Sequence, residues 1–211
     1  DAELAVKYAS LLTMSEDRVL AIVYYTADAV YGPLNEALRS ESWEDVSPFV
    51  PYIKLLLTAL TEYVEADKTR CQSLDILHRG VRADLMETLQ HGRDHIVQWE
   101  FTSTSVRAHV GRNFAKGQSY VQIYDGCGVD ISALSMYGDK EAEVLVLPSA
   151  QLQVMDVYRP VASSSFVHVA MKHVVRDSVS DVTTATVTLQ NTWLRWARQA
   201  PVVAALDQLN M

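Results

Sequence analysis

Apolar residues recur at helical spacing over the first third of the chain and at strand spacing after it. Val19, Ile22, Val23 and Thr26 continue one helical face. Thr13 and Glu16 ahead of them fit a capping box, and Gly32-Pro33 predicts the break that ends the helix. A second helix follows from Leu34 through Leu38 and Arg39. Ser47-Pro48 reads as an N-cap and first-turn proline, with Pro51 as a signal for a later start. Ile53, Leu56, Leu57, Leu60 and Tyr63 then form an apolar stripe of the kind that faces a core.

From residue 74 the period shortens. Strands are predicted over 75–81, 95–102, 120–124, 143–147, 151–158, 166–174 and 182–187, with helices at 83–90 and 105–114 between them. Residues 189–209 read as helical with a break at Pro201, Trp193 and Trp196 supplying a packing face. A run of helices followed by a run of strands predicts an α+β fold, antiparallel sheets packed against helices, rather than a parallel α/β sheet. With no internal repeat, one domain is expected over 1–211: mainly helical to 70, β-rich over 71–188, and a helical tail over 189–211.

Composition narrows the function classes. In 211 residues, 49% are hydrophobic and 21% charged, values ordinary for a folded protein. A net charge of −8 argues against a nucleic-acid partner, since such binders carry a basic face to displace counterions. Val19 to Tyr31, the most apolar stretch, contains Asp28 and is too short to cross a bilayer, so no membrane-spanning segment is expected. Neither a leader pattern at the start nor a lipid-anchor pattern after Pro201 is visible. Cys71 and Cys127 allow one disulfide and make no metal-ligand spacing; whether they pair stays open, and Cys127 is expected to be buried. The six histidines form no metal or nucleophile arrangement, and no Gly-rich fingerprint precedes a helix, which excludes a Rossmann-type dinucleotide site.

Three short strings carry the chemistry, each at the edge of an apolar stretch. Leu77-His78-Arg79-Gly80-Val81 sets an arginine before a glycine whose missing side chain permits close backbone approach. A guanidinium fork suits a diphosphate, although a lone arginine is more often half of an ion pair. Phe101-Thr102-Ser103-Thr104-Ser105 places hydroxyls where a strand meets a helix, a position that also suits an N-cap at Ser105. Glu141-Ala142-Glu143 leads into Val144-Leu145-Val146-Leu147-Pro148, so both carboxylates are expected on one side of a strand, close enough for mutual repulsion to separate their pKa values.

In order, spacing and flanks these strings resemble the arginine, Ser-Thr-Ser and Glu-x-Glu signature of the mono-ADP-ribosyltransferases of the cholera-toxin-like clade, which includes vertebrate ecto-enzymes and bacterial toxins. Ala21 to Thr26 and Leu34 to Arg39 resemble the helical region that precedes the catalytic core there. The resemblance implies a helical region packed on two antiparallel sheets that form an NAD-binding cleft. It implies that Arg79 contacts the phosphates and ribose of NAD+, that the Gly80 backbone holds the nicotinamide amide, and that Ser103 orients Glu143. Thr104 would brace the sheets and Ser105 would add to the nicotinamide end. Glu143 would stabilise the ribosyl cation, and Glu141 would recognise and deprotonate the acceptor. A Glu-x-Glu pair accompanies arginine acceptors in that family.

Two loops carry weaker likenesses. Residues 111–117 resemble the segment beside the phosphates, where Phe114 would stack on the pyridinium and Arg112 meet phosphate, with core burial of Phe114 as the alternative. Residues 130–138 resemble the loop that recognises the acceptor, with Tyr137 and Ser135 as its contacts. The resemblance thus implies an NAD+-consuming enzyme that modifies an arginine of an acceptor protein without a metal. The rivals are an NAD+ glycohydrolase and a silent NAD-binding module. A secreted or extracellular setting is slightly favoured by the resemblance, and the oligomeric state is open.

Overall fold

A computed structural model describes residues 13–90, 95–161 and 165–174. The helical region runs through α1 (Glu16–Tyr25), α2 (Asp28–Ser40), α3 (Trp43–Val46), a 3-10 turn at Ser47–Phe49 and α4 (Val50–Ala66). Next come β1 (Cys71–Val81), α5 (Met86–Gln90), β2 (His95–Gln98), β3 (Thr102–Ser105), α6 (Ala108–Ala115) and β4 (Ser119–Asp130). A 3-10 turn at Gly138–Lys140 precedes β5 (Glu143–Val146), β6 (Ala150–Tyr158) and β7 (Val167–His173). The stretches 182–187 and 189–211, with Trp193 and Trp196, lie outside the described residues.

Helix boundaries differ from the sequence expectation at two places. Ser15, not Thr13, is the N-cap of α1, and its side chain makes no capping bond. The first break falls after Tyr25 rather than at Gly32-Pro33, because the Thr26 hydroxyl donates to the Val23 carbonyl at 2.7 Å. The Thr26 and Ala27 N–H groups close the last turn onto Val23 and Tyr24, each at 3.1 Å. Pro33 sits inside α2, which continues because Leu34, Ala37 and Leu38 on its inner face are buried in the core. The second proline signal was the informative one: Pro51 stands in the first turn of α4.

The strands form one hydrogen-bonded network in the order β1-β3-β5-β4-β7-β6-β2, with β1 also paired to β4 along its length. The expected pair of sheets is thus joined through β4, which carries β1 and β7 at its start and β5 at Val129 and Asp130. Pairings among the described strands are antiparallel except that of β4 with β7, which is parallel.

Strand β5 explains why residues 144–147 are uninterruptedly apolar. Leu145 and Leu147 pack into the core under the helices, with Ile22, Leu34, Leu38 and Leu60. Val144 and Val146 face a second core with Leu77, Val121, Leu152 and Val169. A strand covered on both faces has no solvent side to fill with polar residues. Cys127 is buried and forms no disulfide with Cys71. No helix among the described residues is long and apolar enough to cross a membrane.

Candidate active site

Strand order brings the three sequence strings together. β3 lies between β1 and β5: Ser105 pairs with His78 on one side and with Glu143 on the other, and Ser103 pairs with Leu145. The hydroxyl string is therefore a strand in its own right. The strand expected over 95–102 ends at Gln98, and Trp99-Glu100-Phe101 forms the link into β3.

That link is held from the helical side. Asn35 Nδ2 donates to the Phe101 carbonyl at 2.9 Å, and Asn35 Oδ1 accepts the Phe101 N–H at 3.1 Å. The Tyr25 hydroxyl donates to the same carbonyl at 3.1 Å. A buried amide that satisfies both polar groups of one backbone residue fixes where β3 begins.

A cleft of about 440 Å³ opens over these strands. Of the sequence candidates, Arg79, Gly80, Ser103, Thr104, Ser105, Phe114, Tyr137, Glu141 and Glu143 line it. Ser135 reaches it through Glu143, donating to Oε2 at 3.0 Å. Arg112 is not brought to the cleft; its guanidinium stands 5.3 Å from the centre of the Tyr120 ring on the sheet.

Each string is held by contacts within the fold. A Cβ on Gly80 would come within 2.1 Å of Ala115 N and 2.3 Å of Gly111 O, so its missing side chain admits the backbone of α6 rather than a ligand. Thr104 Oγ1 donates to the Val144 carbonyl at 2.6 Å, tying β3 to β5. Ser105 does not cap a helix: its Oγ accepts the Arg107 N–H at 3.0 Å and donates to the Glu141 carbonyl, pinning the carboxylate turn to β3. Glu141 lies outside β5, and Ala142 after it is left-handed with φ 43°. Both carboxylates line the cleft through that backbone reversal, not through strand alternation.

Electrostatically, Glu143 stands apart. It is 6% exposed, and burial pushes its pKa above the usual carboxylate value while hydrogen bonds from Ser103 and Ser135 pull it down. Burial, not the neighbouring Glu141 expected from the sequence, is the leading cause. Tyr25 is pushed well up by burial and shares hydrogen bonds with Asn35 and Ser103, so Ser103 links Tyr25 to Glu143. His78, on the cleft wall, is lowered first by burial and then by the Arg112 charge.

Arg79 Nη2 donates to Glu100 Oε1 at 3.1 Å, while Nη1 is buried and has no protein partner. Tyr25, Thr26, Asn35 and Glu100 were not singled out from the sequence as site residues. The available signal was polarity in apolar company: Asn35 beside Leu34 and Leu38, Glu100 between Trp99 and Phe101. Thr26 Oγ1 accepts the Met136 N–H at 3.1 Å, which docks the loop between β4 and β5 onto the end of α1.

The family model described as ART, NAD:arginine ADP-ribosyltransferase, matches residues 6–178. No curated protein matches the chain. Among solved structures, the chain resembles ADP-ribosyltransferase HopU1 of Pseudomonas syringae pv. Tomato DC3000, at 19% identity and TM-score 0.65 over 82% of this chain and 84% of that one. ADP-ribosyltransferase Vis of Vibrio splendidus, solved in complex with agmatine, is similar at 21% identity and TM-score 0.61 over 83% and 84%. Exoenzyme S of Pseudomonas aeruginosa, solved with human 14-3-3 protein beta and carba-NAD, is similar at 20% identity and TM-score 0.56 over 76% and 74%. At these identities the structural likeness is one of fold.

Proposed function

The chain belongs to the NAD:arginine ADP-ribosyltransferase family, and on that premise we propose that it transfers ADP-ribose from NAD+ to an arginine side chain of an acceptor protein, releasing nicotinamide. The observation that carries this reading is the buried Glu143 carboxylate, held by two serines in a cleft that also receives Glu141. NAD+ suits the residues present. The buried, unpartnered Nη1 of Arg79 is a donor that a phosphate oxygen would satisfy, and Phe114, 42% exposed on the cleft wall, offers a ring to the pyridinium. Arg112 is left out of the proposed contacts because its guanidinium stands over Tyr120 instead.

In the proposed reaction the bond between the ribose and nicotinamide breaks, and its electron pair leaves with the nicotinamide nitrogen. Glu143 faces the positive charge that develops on the ribose, where a preorganised carboxylate in a water-poor site is worth most. Hydrogen bonds from Ser103 and Ser135 favour its ionised form, opposing the burial that raises its pKa. A guanidine nitrogen of the acceptor then forms the new bond, and Glu141, more open than Glu143, takes its proton. The Vis complex with agmatine, a small guanidinium compound, supports the acceptor class. Tyr137, exposed at the cleft edge, is the proposed contact for the acceptor protein.

Nicotinamide release from NAD+, followed with and without agmatine in the native chain, Glu141→Gln and Glu143→Gln, tests the two roles. Both substitutions are expected to abolish agmatine labelling, and only Glu141→Gln to retain hydrolysis. Hydrolysis by the native chain without any labelling would point to a glycohydrolase.

A further inference from the structure

We propose that Glu100 is a positioning residue that holds the Arg79 guanidinium in register for NAD+, an inference that rests on the reading of Arg79 as an NAD+ contact. Glu100 is 5% exposed, in the link between β2 and β3. Its Oε1 accepts from Arg79 Nη2 at 3.1 Å and stands 3.6 Å from Nη1 of Arg39 on α2. A buried carboxylate is destabilising unless paired, so a buried glutamate with two arginines around it is kept there by its partners.

The pairing is asymmetric. Arg39 is half exposed, where solvent screens its charge, whereas Arg79 lines the cleft and commits one arm of its fork to Glu100. The other arm, Nη1, is the buried nitrogen without a protein partner. Glu100 thereby fixes the plane and rotamer of a guanidinium whose other terminal nitrogen faces no protein acceptor. Fixing a rotamer-rich side chain before binding removes an entropic cost that a free arginine would meet on contact with the ligand. The anchor itself is rigid, because Asn35 holds both backbone groups of Phe101, the next residue.

Glu100→Gln keeps the shape and one acceptor oxygen and removes the charge. Calorimetric NAD+ titration together with steady-state kinetics on agmatine is expected to show Kd and KM for NAD+ raised by about tenfold or more, the scale of a hydrogen bond to a charged group. The kcat value and the KM for agmatine are expected to stay within about twofold, a split that loss of fold would not give. Glu100→Asp, which keeps the charge but withdraws the carboxylate by one methylene, is expected to show an intermediate loss, and it answers the question if Glu100→Gln does not fold.

Arg79→Lys separates the NAD+ contact of Arg79 from the positioning role of Glu100. If it leaves NAD+ binding unchanged, the reading of Arg79 falls, and the role of Glu100 with it. If it weakens NAD+ binding while the Glu100 variants bind as the native chain does, only the positioning role is overturned. A Glu100→Gln effect that persists undiminished in the Arg79→Lys background, or that falls on kcat alone, overturns it equally.

Discussion

The Ser135 hydroxyl donates to Oε2 of Glu143 at 3.0 Å, tying the loop between β4 and β5 to the carboxylate that opens β5. Met136, the next residue, donates its N–H to Thr26 at the end of α1. One hydroxyl thus couples the buried acid to a loop that is itself docked on the helical region.

Glu143 must be ionised for the proposed chemistry, and burial works against that. Ser135→Ala removes one of the two hydroxyls that favour the charged form, so the carboxyl pKa rises further. The acid limb of the pH–rate profile for agmatine labelling is expected to move to higher pH by about one unit, the scale of a hydrogen bond to a charged group. An unmoved limb would mean that Ser135 does not tune the ionisation of Glu143.

The same burial has a stability consequence. A folded pKa raised above the unfolded value of 4.5 means that the favourable contribution is fully present below pH 4.5 and is lost as pH rises through the folded value. Glu143→Gln carries no charge at any pH. At pH 7 it is therefore expected to melt a few degrees above the native chain, on the order of what ~1 kcal/mol does at this size. The gap is expected to close below pH 4.5, which scanning calorimetry at both pH values will show.

Gly80 and Gly111 bring α6 against β1, and their tolerance should differ. Gly80→Ala would set a Cβ 2.1 Å from Ala115 N, against backbone that cannot step aside. About 3 kcal/mol of destabilisation is expected, together with weaker NAD+ binding as Phe114 shifts with the helix. At Gly111 the nearest atom is His78 Cβ at 3.0 Å, so Gly111→Ala should cost less, as comparison of the two urea midpoints will show.

Asn35→Ala leaves the buried Phe101 N–H without its acceptor, whereas the Phe101 carbonyl still receives the Tyr25 hydroxyl. A loss of about 1–3 kcal/mol is expected for one unsatisfied buried group, read from the urea midpoint at constant m-value. Activity should fall as well, since β3 begins at this grip.

The meeting of arginine, hydroxyls and carboxylates was legible in the sequence because each string borders or forms a strand, and strand patterning is a strong local signal. What patterning does not carry is strand order, so the parallel pairing of β7 with β4 and the joining of the two sheets emerge only in the structure. Trp99-Glu100-Phe101 has the composition of a strand and hides the break between β2 and β3, which depends on the distant Asn35. The Gly32-Pro33 pair masked the true end of α1, set by a threonine hydroxyl two residues from the start of the next helix. Glu141 lines the cleft through a left-handed alanine rather than the strand repeat expected from the sequence. Arg112 was legible as a cation and not as one engaged elsewhere on the sheet.

Transfer of ADP-ribose to a guanidinium is read by incubating the chain with NAD+ and agmatine and identifying the products by mass spectrometry. ADP-ribosyl-agmatine is the expected product, with nicotinamide matching the sum of labelled agmatine and free ADP-ribose, and all three lost in Glu143→Gln. Free ADP-ribose as the sole ribosyl product, or NAD+ left intact by a folded chain, would contradict that transfer.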